Sequence, residues 1–437
     1  MDRGGTGLRL RRGVIVAAVI GTLGTVTVPG GATATAVGSA RGPGALQGSG
    51  EPGSGPAPFP VQLPLARSPR AASFAWSDLG GSDAWARTAI DFVGKRNDWM
   101  RDFAPRPDGS VPFRPDMIET RKYLARAMVK ALAPRADVDP SITFTDLDPT
   151  QAFYRWANIA VQHRWIARTS DGRFLPDQSI TTGTLHAALV RALGMRAIAR
   201  QLDRLHTRDG VSFPTPARFG ALLLGLRLGL RYNNPNEAKD VGPRTPLSRA
   251  QVAYSLYKAA TLPDWVVPWV RDQYEGIVLP RMGPKRLAIV RWGVRYIGYP
   301  YVWGGEWGLS SPAPAGLGGQ PIPGFDCSGL SWWALRANDG GAWKVRPPRP
   351  YAGWPLPQRT SADMARFGSL SYKRLRPGDL MFYDGNDDGT VDHVDVYIGN
   401  GYALDSSSTP GGVTIMWVRS GWYREHFVHG RRILPTP

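Results

Sequence analysis

One pattern of residues occurs twice in succession and a third time in shortened form. The first copy runs Ser77-Asp78-Leu79, Trp85-Ala86, Ala89-Ile90 and Trp99. It continues through Asp108-Gly109, Phe113-Arg114-Pro115-Asp116 and Thr120-Arg121 to Ala125–Leu132. The second has Thr145-Asp146-Leu147, Trp156-Ala157, Ala160-Val161 and Trp165, then Asp171-Gly172, Phe174-Leu175-Pro176-Asp177 and Thr181-Thr182, ending in Ala187–Leu193. The third keeps the end best, as Pro246-Leu247-Ser248-Arg249-Ala250-Gln251 followed by Val252–Ala260. Each copy reads as a helix, an Asp-Gly loop, a short extended segment, and a helix capped by Thr or Ser. Such units cannot bury their apolar faces alone and pack on one another. Residues 73–262 are therefore expected to form a mainly α-helical domain of three repeats.

Residues 263–283, with Pro263, Pro268, Pro280, Trp265 and Trp269, read as a connector that packs against a neighbour. The texture then changes. Leu287, Val290, Val294 and Ile297 recur at helical spacing, and short extended runs follow at 378–384, 393–399, 402–406, 413–418 and 427–434. Helices followed by consecutive strands predict an α+β domain over 284–437.

The other end of the chain reads as an export signal. Arg3, Arg9, Arg11 and Arg12 precede an apolar stretch from Val14 to Val28, and Ala34-Thr35-Ala36 fits a cleavage site. That stretch is short of the about 20 residues a membrane span needs. Residues 1–40 are thus expected to be a signal peptide, and the Gly-, Pro- and Ser-rich residues 41–72 a flexible tether. The chain carries a formal charge of +18, and +15 without residues 1–40, which hold four arginines and one aspartate. Such a balance attracts polyanions. With no zinc-finger, RNA-binding or helix-turn-helix signature, wall polymers or anionic headgroups fit better than nucleic acid.

The chain has one cysteine, so it forms no internal disulfide. Cys327 lies in Phe325-Asp326-Cys327-Ser328-Gly329-Leu330, at the head of an expected helix over 328–338. Unsatisfied amides and the helix dipole there favour a thiolate and can hold a developing oxyanion. Gly329 is expected to let a substrate approach the helix start. Of the six histidines, His393 opens an alternating strand and is the first candidate for the base, ahead of His429 and His426. A third group should orient the imidazole. Asp405, across the Gly399-Asn400-Gly401 turn, is one candidate, and Asp395, on the same strand face as His393, is its rival. Asp384, Asn386 and Asp388 alternate before Gly389, with Asp395 at the twelfth position. That spacing suits Ca²⁺, but with no flanking helix expected a solvated turn is the better reading.

The helical repeats resemble the S-layer-homology repeat, a module that comes in threes and holds exported proteins on wall polysaccharide. Its Thr-Arg-Ala-Glu signature is matched in part by Thr120-Arg121-Lys122-Tyr123, Thr181-Thr182-Gly183-Thr184 and Ser248-Arg249-Ala250-Gln251. Five further motifs occur in the order seen in NlpC-type, papain-like wall peptidases. They are Tyr301-Val302-Trp303-Gly304-Gly305, the Cys327 segment, Arg359-Thr360-Ser361, Arg376-Pro377-Gly378-Asp379-Leu380-Met381-Phe382, and His393-Val394-Asp395-Val396-Tyr397-Ile398-Gly399-Asn400-Gly401. That resemblance implies Cys327 as nucleophile, His393 as base, Asp405 as the orienting group, and Tyr301 and Ser328 as neighbours that assist the site. It implies cleavage of peptidoglycan stem peptides between D-glutamate and a diamino acid, without a cofactor, by a secreted, wall-associated protein. Three features depart from the family. Its third residue is usually His, Asn or Gln; Asp395 stands where Gly is common; and residues 306–324 form a Gly/Pro-rich insertion expected to narrow access. A catalytically degenerate wall-binding protein, or a hydrolase of another amide or acyl bond, are the alternatives on the same fold.

Overall fold

The computed structural model describes residues 72–307, 320, 322–336, 356 and 358–434. The expected signal segment, the tether up to residue 71, and most of the 306–324 insertion lie outside the described residues. Helices α1 (Arg87–Ile90), α2 (Arg121–Leu132), α3 (Tyr154–Gln162), α4 (Thr182–Ala192), α5 (Arg196–Leu202), α6 (Phe219–Arg227) and α7 (Arg249–Ala260) build the first part.

The first two copies share a pattern of hydrogen bonds. Asp78 accepts from the backbone N–H groups of Phe113 and Arg114, both at 2.8 Å, and Asp146 accepts from those of Phe174 and Leu175, both at 2.7 Å. Arg114 and Leu175 share a left-handed backbone, with φ of 61° and 58°. The extended segments ahead of α2, α4 and α7 close a ring. The Glu119 N–H donates to the Leu247 carbonyl, the Leu247 N–H to Ile180, and the Ile180 N–H to Glu119, at 2.7–2.9 Å. Capping boxes then start two of the helices: Thr181 with Thr184, and Ser248 with Gln251.

Arginine locks two of the three junctions. Arg121 donates to the carbonyls of Phe174 (2.6 Å) and Ala167 (2.7 Å). Arg249, fully buried, donates to those of Phe113 (2.9 Å) and Met100 (3.0 Å) and pairs with Asp102 and Glu119. The equivalent residue of the second copy is Thr182, too short to make that clamp. A small cavity of about 30 Å³ opens at the third junction instead, lined among others by Thr182, His186, Trp85, Arg231, Asn234 and Asp240.

The third copy holds more structure than its sequence suggests. Every residue of α6 is buried, and each buried leucine there contributes about 1.5–3 kcal/mol. The expected connector contains α8 (Val266–Tyr274), whose Tyr274 is fully buried and donates to the Ile415 carbonyl at 2.6 Å. Tyr402 donates back to the Gln273 carbonyl at 2.5 Å, and Arg231 reaches the Gly298 carbonyl at 3.1 Å. One hydrophobic core therefore runs from the helical part into the C-terminal part.

That second part opens with α9 (Pro284–Gly293), with Pro284 in its first turn. A two-stranded ribbon, β1 (Glu306–Trp307) and β2 (Gly324–Phe325), precedes α10 (Cys327–Arg336) and α11 (Ser361–Ala365). Strands β3 (Leu380–Tyr383), β4 (His393–Gly399), β5 (Tyr402–Ser407), β6 (Gly412–Trp417) and β7 (Phe427–Arg431) form an antiparallel sheet in the order β6-β5-β4-β3-β7. A short helix, α12 (Trp422–Glu425), precedes β7. The β4–β5 hairpin turns at Asn400 and Gly401, both with positive φ, as a tight turn of right-twisted strands requires. Helix α10 packs across β4 and β5. No helix among the described residues is long and apolar enough to cross a membrane.

Candidate active site

Cys327 is the first residue of α10 and is half-buried. Asp326 fixes that helix start by accepting from the Gly329 N–H at 2.5 Å and the Ser328 hydroxyl at 3.2 Å. The expected use of Gly329 needs correction. A Cβ there would fall 1.9 Å from the Gly305 carbonyl oxygen, so the glycine makes room for the chain's own 304–305 backbone rather than for substrate.

His393 stands at the start of β4, 5% exposed. Its Nε2 lies 2.8 Å from Asp405 Oδ1 and 3.1 Å from Asp395 Oδ1. Both carboxylates are fully buried. The two candidates for the third group therefore meet at one nitrogen. An Nε2 facing two acceptors carries the proton, which leaves Nδ1 as the ring nitrogen for the sulfur. Burial disfavours the imidazolium. The charge of Asp395, the negative Cys327 sulfur, and the hydrogen bonds to Asp395 and Asp405 outweigh it and hold the His393 pKa well above its usual 6.5. Burial and the neighbouring Asp405 push Asp395 up to about 7 against the pull of His393.

Tyr301 lies close enough to the sulfur to feel its charge. Burial first, then the charges of Cys327, Asp326, Glu237 and Asp405, raise its pKa well above 10, so its hydroxyl stays a donor. Ser328 is 5% exposed, and its hydroxyl accepts from Arg359 Nη1 at 2.7 Å. Its side chain thus braces the helix start. His426 is bonded to Asp387 (3.0 Å) and His429 to the Ala365 carbonyl (2.9 Å), both apart from the cysteine network. In the 384–389 turn, Asp384 accepts from the N–H groups of Asp388 (3.2 Å) and Gly389 (2.7 Å), as a polar turn does. Asp395 faces His393 rather than that turn.

Two contributors carried no assigned role in the sequence. Arg359 pairs with Glu306 and Asp326 (3.2 Å) and donates to the carbonyls of Gly304 (3.0 Å) and Gly305 (3.3 Å). It ties the ribbon to the start of α10. Glu237, from the helical part, accepts from the Trp303 N–H next to Tyr301, and no local pattern links residues so far apart.

Comparison with known proteins places this geometry. Residues 298–432 match the NlpC/P60 family. The chain is 30% identical over 147 residues to the bifunctional muramidase/DL-endopeptidase CwlT of Bacillus subtilis, covering 33% of this chain and 36% of that one. It is 33% identical over 144 residues to the murein DD-endopeptidase MepH of Escherichia coli, covering 33% and 44%. It is 27% identical over 230 residues to the gamma-D-glutamyl-L-lysine dipeptidyl-peptidase of Bacillus subtilis, covering 52% and 64%. The chain thus spans less than two thirds of the length of these relatives. Its C-terminal part is an NlpC/P60 domain, a papain-like fold with helices packed against an antiparallel sheet.

Proposed function

We propose that this chain is an exported peptidoglycan hydrolase, a cysteine endopeptidase that cuts stem peptides at the bond between D-glutamate and a diamino acid. The observation that carries this reading is the His393 imidazole, fixed by buried carboxylates and within electrostatic reach of the Cys327 sulfur, in a segment that matches the NlpC/P60 family. The Cys327 thiolate attacks the scissile carbonyl carbon, and the oxyanion forms against the α10 amides. His393 passes its Nδ1 proton to the leaving amine, releasing it and leaving an acyl-enzyme. It then takes a proton from water, which attacks the thioester and frees Cys327. Asp405 keeps the ring in place through both steps, and Tyr301 offers a donor beside the sulfur. Every step uses groups of the chain and water.

We further infer that the helical repeats hold the enzyme at the wall by anionic polysaccharide. In favour are the net positive charge and the junction cavity, whose Trp85 ring is stacked on Tyr232 at 4.6 Å beside Arg231 and Asn234. Aromatic faces with nearby polar groups suit surface contact with a sugar. Residues 1–40 would direct export and residues 41–72 would link the segment to the repeats.

Incubation of purified cell walls with the protein should release soluble stem fragments, and Cys327→Ala should release none. Equal clearance by the alanine variant contradicts the assignment. A hydrolase of some other amide or acyl bond would show thiol reactivity without wall digestion.

A further inference from the structure

We propose that Asp395 acts beside Asp405 as a second positioning residue, the two carboxylates sharing the Nε2–H of His393. The inference rests on Cys327 and His393 forming the reactive pair. One nitrogen faces one oxygen from each carboxylate, at 2.8 and 3.1 Å, and the three atoms lie within 4.8 Å of one another. The two acids are not held alike. Asp405 also accepts from the Ser407 hydroxyl at 3.1 Å through Oδ2, whereas Asp395 Oδ2 is buried without a hydrogen-bond partner. The imidazole, with the Tyr383 hydroxyl close by, is therefore what makes a buried Asp395 tolerable, and a carboxylate so placed favours the imidazolium.

Among the described residues, the groups around the two acids are mainly phenols and other acids. Tyr383 from β3 and Tyr423 from α12 feel the charges of both acids, and Tyr274 from α8 that of Asp405. Asp392 lies just before β4, and Cys327 faces the ring from α10. Arg227 of α6 reaches this region, but its guanidinium is bonded to Gln273 at 2.8 Å. Protonated His393 is thus the positive charge on which both acids converge. The effect of two acids on one ring is an imidazolium that persists to higher pH, keeping the thiolate–imidazolium pair intact across neutrality.

Because Cys327 is the chain's single cysteine, its alkylation by iodoacetamide reads this pair without any substrate. The rate is followed from about pH 4 to about pH 10 in the full chain, in Asp395→Asn and in Asp405→Asn. The wild type should show a thiolate plateau and an upper inflection well above pH 6.5, the ordinary histidine value. Asp395→Asn should lower that inflection by about one pH unit or more, a roughly tenfold change in proton affinity. The alkaline limb of the stem-peptide kcat profile should move with it, and KM should not. An inflection that stays in place in a variant that melts like the wild type overturns the proposal. Should Asn at 395 prevent folding, NMR titration of the wild-type His393 ring decides. A proton kept on both nitrogens past pH 8 supports the sharing, and titration near pH 6.5 overturns it. Shifted alkylation with no wall cleavage would defeat the substrate assignment and leave the sharing intact. A Cys327 with no thiolate plateau at all would defeat both.

Discussion

Replacing Arg359 with methionine keeps the aliphatic stem and deletes the charge that joins the ribbon to the nucleophile helix. Glu306 and Asp326 would be left as carboxylates only 8% and 14% exposed, facing each other next to Cys327. Removing one partner of a buried ion pair costs about 3–5 kcal/mol. Because the Arg359 side chain is 30% exposed, solvent screens part of this, and about 2–3 kcal/mol is expected. For a unit of this size each kcal/mol moves the melting temperature by about 2–4 °C, giving a fall of about 4–12 °C in Arg359→Met. The unpaired negative charges also disfavour the thiolate, so alkylation of Cys327 at neutral pH should slow. Calorimetry and a timed iodoacetamide reaction measure both. A melting temperature within about 1 °C of wild type, with unchanged labelling, would refute the idea that Arg359 organises the helix start.

Two further outcomes follow from the helical part and the buried acids. Thr182→Arg should extend to the third junction the clamp that Arg121 and Arg249 make at the other two, filling the cavity. Sedimentation with purified walls should then weaken, while cleavage of a soluble stem peptide stays as in the wild type; undiminished sedimentation would rule out that cavity as the wall site. Stability should fall as pH rises from about 4.5 to about 7 and level off above that. Glu119 and Asp240 are each pushed up to about 7, mainly by burial, so below that pH the folded state holds protons there that the unfolded chain has already lost. Melting temperatures that rise across that window would contradict those assignments.

The five strands of the C-terminal part were legible because alternation and turn residues act locally. Gly399-Asn400-Gly401 forces a hairpin, and the run from His393 to Gly399 forms β4 with the bounds its pattern suggested. The repeat was legible through Asp78 and Asp146, whose carboxylates bracket equivalent loops. What stayed hidden depends on contacts distant in sequence. Helix α6 carries no amphipathic stripe, because it is buried on all sides between the repeats and the sheet, so its leucines gave no periodic signal. The choice between Asp395 and Asp405 could not be made from spacing, since both can reach one ring. Arg359 lay within a recognised motif, but its partners at 304–306 and 326–328 meet it only in the folded chain. Gly329 was misread for a related reason: the backbone it accommodates comes from residue 305.

The most direct test is to catch the acyl-enzyme. The protein is mixed with a soluble stem peptide, quenched in acid within the first turnover and weighed intact, and the adduct is then mapped. A mass increase equal to the acyl half of the peptide, located on Cys327 and lost in Cys327→Ala, is the predicted result. Peptide cleavage that proceeds with no adduct at Cys327, and that survives in Cys327→Ala, would contradict it.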